Sequence, residues 1–181
     1  ALLARAAETG AKLIYFANPD NPMGSWHAAD IVADMIDRVP DGAVLILDEA
    51  YAEFAPDGTV PPLDVSDPGV VRMRTFSKAY GMAGARVGYA IGHVDLVSAF
   101  NKVRNHFAVN RIAQAGALAA LADQPYLTQV IADVADARAR IAEIATDNGL
   151  VALPSATNFV AIDCRRDGDF ARAILAGLIA R

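Results

Sequence analysis

The sequence predicts an α/β fold: a mostly parallel sheet flanked by helices, followed by the start of a smaller α+β C-terminal domain. Three observations carry this. Short β-rich runs at residues 12–17, 43–47, 70–75 and 85–91 first alternate with a helical segment and then close up on one another. The run Ala43-Val44-Leu45-Ile46-Leu47 is continuously apolar, as in a strand buried on both faces. Polar residues follow the strand ends and do not interrupt the strands: Asn21, Asp48 and the pair Ser77-Lys78.

The elements follow in order. A first helix stops at Gly10, a good C-terminal residue. Residues 12–17 feed the loop Asn18-Pro19-Asp20-Asn21-Pro22-Met23-Gly24, where two Asn-Pro steps and a glycine exclude regular structure. Ser25 is placed to cap a helix running to about Arg38. The strand at 43–47 ends in Asp48-Glu49-Ala50-Tyr51, and a loop with Pro56, Pro61, Pro62 and Pro68 leads to the strand at 70–75. After the strand at 85–91, residues 94–107 and 111–122 read as helices, the second capped by Asn110. Pro125 opens a long helix to about Asp147, stopped by Gly149. A short strand at 158–163 and a last helix capped by Asp169 complete the chain. The expected division is residues 1–124 as part of a large domain, 125–147 as a connecting helix, and 148–181 as the beginning of a small domain.

Bulk properties narrow the function classes. The 181 residues are 54% hydrophobic and 20% charged, with net charge −5, ordinary for a soluble globular chain. Mild acidity gives no reason to expect nucleic acid or an anionic membrane as partner. Cys164 is the single cysteine, which excludes a disulfide framework within these residues and fits a reducing cytoplasm. No apolar run approaches the roughly 20 residues that span a bilayer. The uncapped start at Ala1 and the helical texture up to Arg181 read as a piece of a longer polypeptide.

Ligands of such sheets bind beyond the carboxyl ends of the strands. Asn21, Asp48 and Ser77-Lys78 are therefore expected on one rim. Each has a bland reading: a strand-end aspartate caps turns, Tyr51 packs, Arg86 is a surface arginine, and Gly81, Gly84 and Gly88 punctuate loops. The run into Asp48-Glu49 also resembles a Walker B segment, but no G-x-x-x-x-G-K-[ST] loop accompanies it. Together the residues suggest more. A lysine amine forms Schiff bases with carbonyls, and Arg86, eight residues on, suits an anion. Pyridoxal phosphate carries both an aldehyde and a phosphate.

The loop at 18–24, Asp48-Glu49-Ala50-Tyr51, and Ser77-Lys78-Ala79-Tyr80-Gly81-Met82-Ala83-Gly84-Ala85-Arg86-Val87-Gly88-Tyr89 resemble the pyridoxal-phosphate aminotransferases of fold type I, class I/II. The histidinol-phosphate aminotransferase branch is the most similar. The resemblance covers essentially the whole chain, with 27 residues from Asn21 to Asp48 and 30 from Asp48 to Lys78. It implies that Lys78 is the Schiff-base lysine and Asp48 the partner of the pyridine nitrogen. Tyr51 and Asn21 would hydrogen-bond the ring hydroxyl, and Thr75, Ser77 and Arg86 would hold the cofactor phosphate. It also implies amino-acid and 2-oxo-acid substrates and a homodimer. Met23 stands where the family has a threonine, and so offers no hydroxyl. The family's upstream phosphate loop, ring-stacking aromatic residue and C-terminal arginine have no counterpart here, so these residues alone are expected to be inactive. A lyase or decarboxylase on the same scaffold, or a non-catalytic aminotransferase-like module, are the competing readings.

Overall fold

Ile14, Leu45 and Val70 stand side by side across three neighbouring strands, each nearly free of solvent, and this layer organises the fold. The computed structural model describes residues 1–105 and 107–180. Strands β1 (Leu13–Ala17), β2 (Val44–Asp48) and β3 (Val70–Thr75) run parallel in that order, and β4 (Gly88–Gly92) pairs antiparallel with β3. The sheet is thus mostly parallel, as the sequence predicts.

Helices α1 (Leu2–Thr9) and α2 (Ala29–Asp37) cover the face that bears Ile14 and Leu45, through Leu3, Ala6, Met35 and Ile36. Side chains alternate along a strand. The register Ala17↔Asp48↔Met73 therefore puts Tyr15, Asp48 and Met73 together on the opposite face. At the other edge Gly88 lets β4 lie close against β3, since a Cβ there would sit 2.7 Å from the carbonyl oxygen of Arg74. Helices α3 (Val94–Ala99), α4 (Arg111–Ala122) and α5 (Gln124–Asp147) follow. Helix α4 packs Ala113 and Ala117 on Phe76 and Val87, while α5 packs Leu127 on Tyr51, Phe54 and Ala79. A two-stranded antiparallel pair, β5 (Val151–Ala152) and β6 (Ile162–Asp163), and α6 (Gly168–Ile179) end the chain. Among the described residues no helix is long and apolar enough to cross a membrane.

Several sequence expectations need correction. Ser25 does not cap α2, which starts four residues later behind Ala28 without a side-chain cap. The Ser25 carbonyl accepts from the Asp20 N–H at 2.8 Å, and the His27 N–H donates to Asn18 Oδ1 at 2.8 Å, so this stretch is committed to the preceding loop. The strand expected at 85–91 begins only at Gly88; Ala83–Ala85 is a 3-10 turn and Arg86 is left-handed at φ 52°. The helix expected at 94–107 ends at Ala99 and continues as a 3-10 turn, Phe100–Lys102. Beyond it, Asn105 Oδ1 takes the Phe107 N–H and turns the chain. Position 106 of that helix, and position 181 of the last one, lie outside the described residues. The strand expected at 158–163 shrinks to its last two residues, because Ser155 and Thr157 hydroxyls both donate to the Phe159 carbonyl and bend the backbone. Asp167, two residues before the predicted Asp169, caps α6 by accepting the Phe170 N–H.

Candidate active site

The loop at residues 18–24 is held from within and from behind. Asn18, buried, donates its amide to the carbonyls of His27 and Thr59, and its own N–H reaches the Asp48 carbonyl at 2.9 Å. Gly24 closes the loop at φ 77°, donating to the Asp20 carbonyl. A Cβ at Gly24 would meet Ser155 Oγ at 2.5 Å, and the Ala156 N–H bonds the Gly24 carbonyl at 2.8 Å. Gly24→Ala is therefore expected to cost about 1–3 kcal/mol through left-handed strain and overpacking. A fall in melting temperature would report it, and an unchanged one would show that the contact yields.

This loop places Asn21 Nδ2 3.1 Å from the Tyr51 hydroxyl. Tyr51 is buried, and its ring meets that of Phe159 edge-on at 5.4 Å between centroids. The Lys78 amine lies 5.2 Å from the centre of the Tyr51 ring. Asp48 ends β2, with Oδ1 accepting the Ala50 N–H at 2.9 Å and Oδ2 accepting the Tyr15 hydroxyl at 2.6 Å. The Tyr15 phenol is pushed up to about 12, first by that hydrogen bond, then by partial burial and the Asp48 charge.

Past β3, Thr75 Oγ1 accepts the Ser77 N–H at 3.1 Å. Arg86 adopts its left-handed conformation while donating to the Ala83 carbonyl at 2.9 Å. A non-glycine residue costs roughly 1–2 kcal/mol there, a strain of the kind that concentrates at functional sites.

Asp48, Ala50, Met73, Arg74, Thr75, Ser77, Lys78 and Arg86 line one cleft of about 350 Å³, in the range of small-ligand sites. Five of the seven sequence-predicted residues thus share a cavity, and the other two, Asn21 and Tyr51, are bonded to each other beside it. A larger recess of about 590 Å³ lies at the amino ends of β2 and β3. Three carboxylates, Asp37, Asp41 and Asp67, line it against the single Lys12 amine near Gly42, the wrong net sign for a phosphate. The Lys78 cleft, by contrast, offers an amine, two guanidinium groups and hydroxyls for an anion and an aldehyde, and a carboxylate for a protonated ring nitrogen. That donor set fits pyridoxal phosphate.

Sequence reasoning missed Tyr15 and Arg74. Arg74 lines the cleft and donates from Nε to Glu49 Oε2 at 2.9 Å. Tyr15 carried one signal, a polar tip in an otherwise apolar strand.

The family model for class I and II aminotransferases matches residues 1–179. A histidinol-phosphate aminotransferase of Mesorhizobium japonicum is 38% identical over 170 residues, covering 91% of this chain and 46% of the relative. That of Bacillus licheniformis is 35% identical over 182 residues, 98% of this chain and 50% of the relative. A crystal structure of histidinol-phosphate aminotransferase from Sinorhizobium meliloti, in complex with pyridoxal-5'-phosphate, superposes with a TM-score of 0.96 at 51% identity. It covers 98% of this chain and 49% of that one. The chain therefore spans about half the length of the relatives it matches. Matched over almost its whole length by the family model, the chain belongs to the class I and II aminotransferases.

Proposed function

We propose that the complete protein is a pyridoxal-phosphate-dependent aminotransferase. It passes an amino group from a donor such as glutamate to a 2-oxo acid or a phosphorylated ketone such as imidazole-acetol phosphate. The observation that carries this is the convergence of Lys78, Asp48, Thr75, Ser77 and Arg86 on one cleft, after three different strands or turns. Support for the substrate class comes from the histidinol-phosphate aminotransferases it resembles. We also propose a cytoplasmic homodimer. Its large domain includes residues 1–124, joined through 125–147 to a small domain that begins at 148.

When bound, pyridoxal phosphate supplies the electron sink for carbanion chemistry. The protein's own residues do the rest. Asp48 holds the proton on the ring nitrogen. Asn21 and Tyr51, already paired at 3.1 Å, donate to the ring hydroxyl. Thr75, Ser77 and Arg86 bind the phosphate, each charged hydrogen bond contributing about 1.5–3 kcal/mol. Lys78 would hold the aldehyde carbon, and its amine would serve as general base and acid for the proton at the substrate α-carbon. The visible spectrum of the complete protein tests the assignment. Absorption of the bound cofactor should fall on adding glutamate and return with 2-oxoglutarate; a band indifferent to both would refute transamination.

A further inference from the structure

We propose that Tyr15 is a positioning residue for Asp48, fixing the plane of the carboxylate that faces the cofactor's ring nitrogen. The proposal rests on the aminotransferase reading above. Asp48 is gripped by two donors from different parts of the fold. The Ala50 N–H takes Oδ1 at 2.9 Å, through a turn that Asp48 makes with its own chain. The Tyr15 hydroxyl takes Oδ2 at 2.6 Å from the neighbouring strand, across 33 residues of sequence. A carboxylate with one donor still rotates about its Cβ–Cγ bond; one donor on each oxygen stops that rotation. Each oxygen retains acceptor capacity, so a protonated ring nitrogen can still bind.

The geometry follows from register. Ala17 pairs with Asp48, and Tyr15, two residues earlier, lies on the same face. From there only a long side chain with a polar tip reaches the end of β2. Asp48 is the one side-chain hydrogen-bond partner of the Tyr15 hydroxyl among the described residues. Asp20 and Tyr51 are the other titratable groups that act on it, and both, like Asp48, favour the neutral phenol. The hydroxyl therefore keeps its proton, and remains a donor, throughout the pH range in which an aminotransferase works. The alternative is a surface Tyr–Asp contact without consequence for the site.

The test uses the complete protein, with and without cofactor. In the cofactor-free form, a tyrosinate titration should show one tyrosine ionising near pH 12, and Asp48→Asn should move it down toward 10. In the cofactor-bound form, Tyr15→Phe should weaken pyridoxal phosphate binding about three- to tenfold, less than the full worth of a charged hydrogen bond because Tyr15 acts on the cofactor only through Asp48. It should also raise the pH midpoint of the cofactor's visible band, because a less firmly protonated ring withdraws fewer electrons from the Lys78 linkage. Adding Tyr15→Phe to Asp48→Asn should change nothing further. If Tyr15→Phe leaves affinity and midpoint unchanged while Asp48→Asn shifts both, the positioning role is wrong and the aminotransferase reading stands. If Asp48→Asn and Lys78→Ala also leave the band untouched, the aminotransferase reading itself falls.

Discussion

Lys78→Ala should lower turnover by at least about a hundred- to ten-thousandfold, the range for loss of a general acid–base group, and remove the covalent anchor as well. The size of the effect follows from position. Lys78 follows the end of β3, in the cleft that also holds Asp48 and Arg86. Thr75, Ser77 and Arg86 remain in the variant, so cofactor should still bind through its phosphate, non-covalently. Folding should hardly change. Lys78 is half-buried, and the contact of its amine with the Tyr51 ring at 5.2 Å contributes about 0.5–1 kcal/mol. Turnover, visible spectrum and melting temperature measured together separate these outcomes. A variant that keeps the wild-type cofactor band would remove Lys78 from the chemistry. One that fails to fold would mean the lysine is structural.

Glu49→Ala should give the largest loss of stability. The Glu49 carboxylate is 1% exposed and accepts Arg72 Nη2 at 2.5 Å, Arg72 Nε at 3.0 Å and Arg74 Nε at 2.9 Å. Arg72 is itself buried, with the Pro61 and Pro62 carbonyls as its other acceptors. Deleting the carboxylate leaves a buried guanidinium without its counter-charge, at a cost of about 3–5 kcal/mol. That is a large share of the roughly 5–15 kcal/mol a whole domain has. Urea unfolding of the complete protein would measure it, and a loss under about 1 kcal/mol would contradict it. Removing the buried pair as Glu49→Leu with Arg72→Met should recover part of the loss, since paired buried charges bring little net stability over apolar residues of similar size, while Arg74 still lacks its acceptor. Cofactor affinity should fall in the single variant too, because Arg74, which lines the cleft, loses the Glu49 carboxylate that holds its Nε at 2.9 Å.

What could be read in the sequence, and what could not, divides by range. Asn110 and Pro125 act within one turn of their own positions, and both open helices as expected. Asn21, Asp48 and Lys78 were legible because strand ends in a parallel sheet share a rim whatever the details of pairing. The failures involve partners far along the chain. Ser25 has the chemistry of a cap, but its surroundings are claimed by Asn18 bonding to His27. Glu49 read as one half of an acidic pair after a strand; its partners, Arg72 and Arg74, lie more than twenty residues away on β3. Tyr15 could be connected to Asp48 only once the β1–β2 register was known.

The bend at residues 155–159 carries a consequence for recombining relatives. It meets the cofactor side of the fold twice, through Ser155 and Ala156 against Gly24, and through Phe159 against Tyr51. Arg138 of α5 also donates to the Thr157 carbonyl at 3.0 Å and ties the bend to the long helix. A chimera joined in α5 beyond Arg138 would thus split three contacts between parents at once, although the crossover falls in a regular helix that looks like a safe seam. Segments 18–24, 51 and 155–159 form one inheritance unit, and swaps that transfer them together should retain function where swaps that split them lose it.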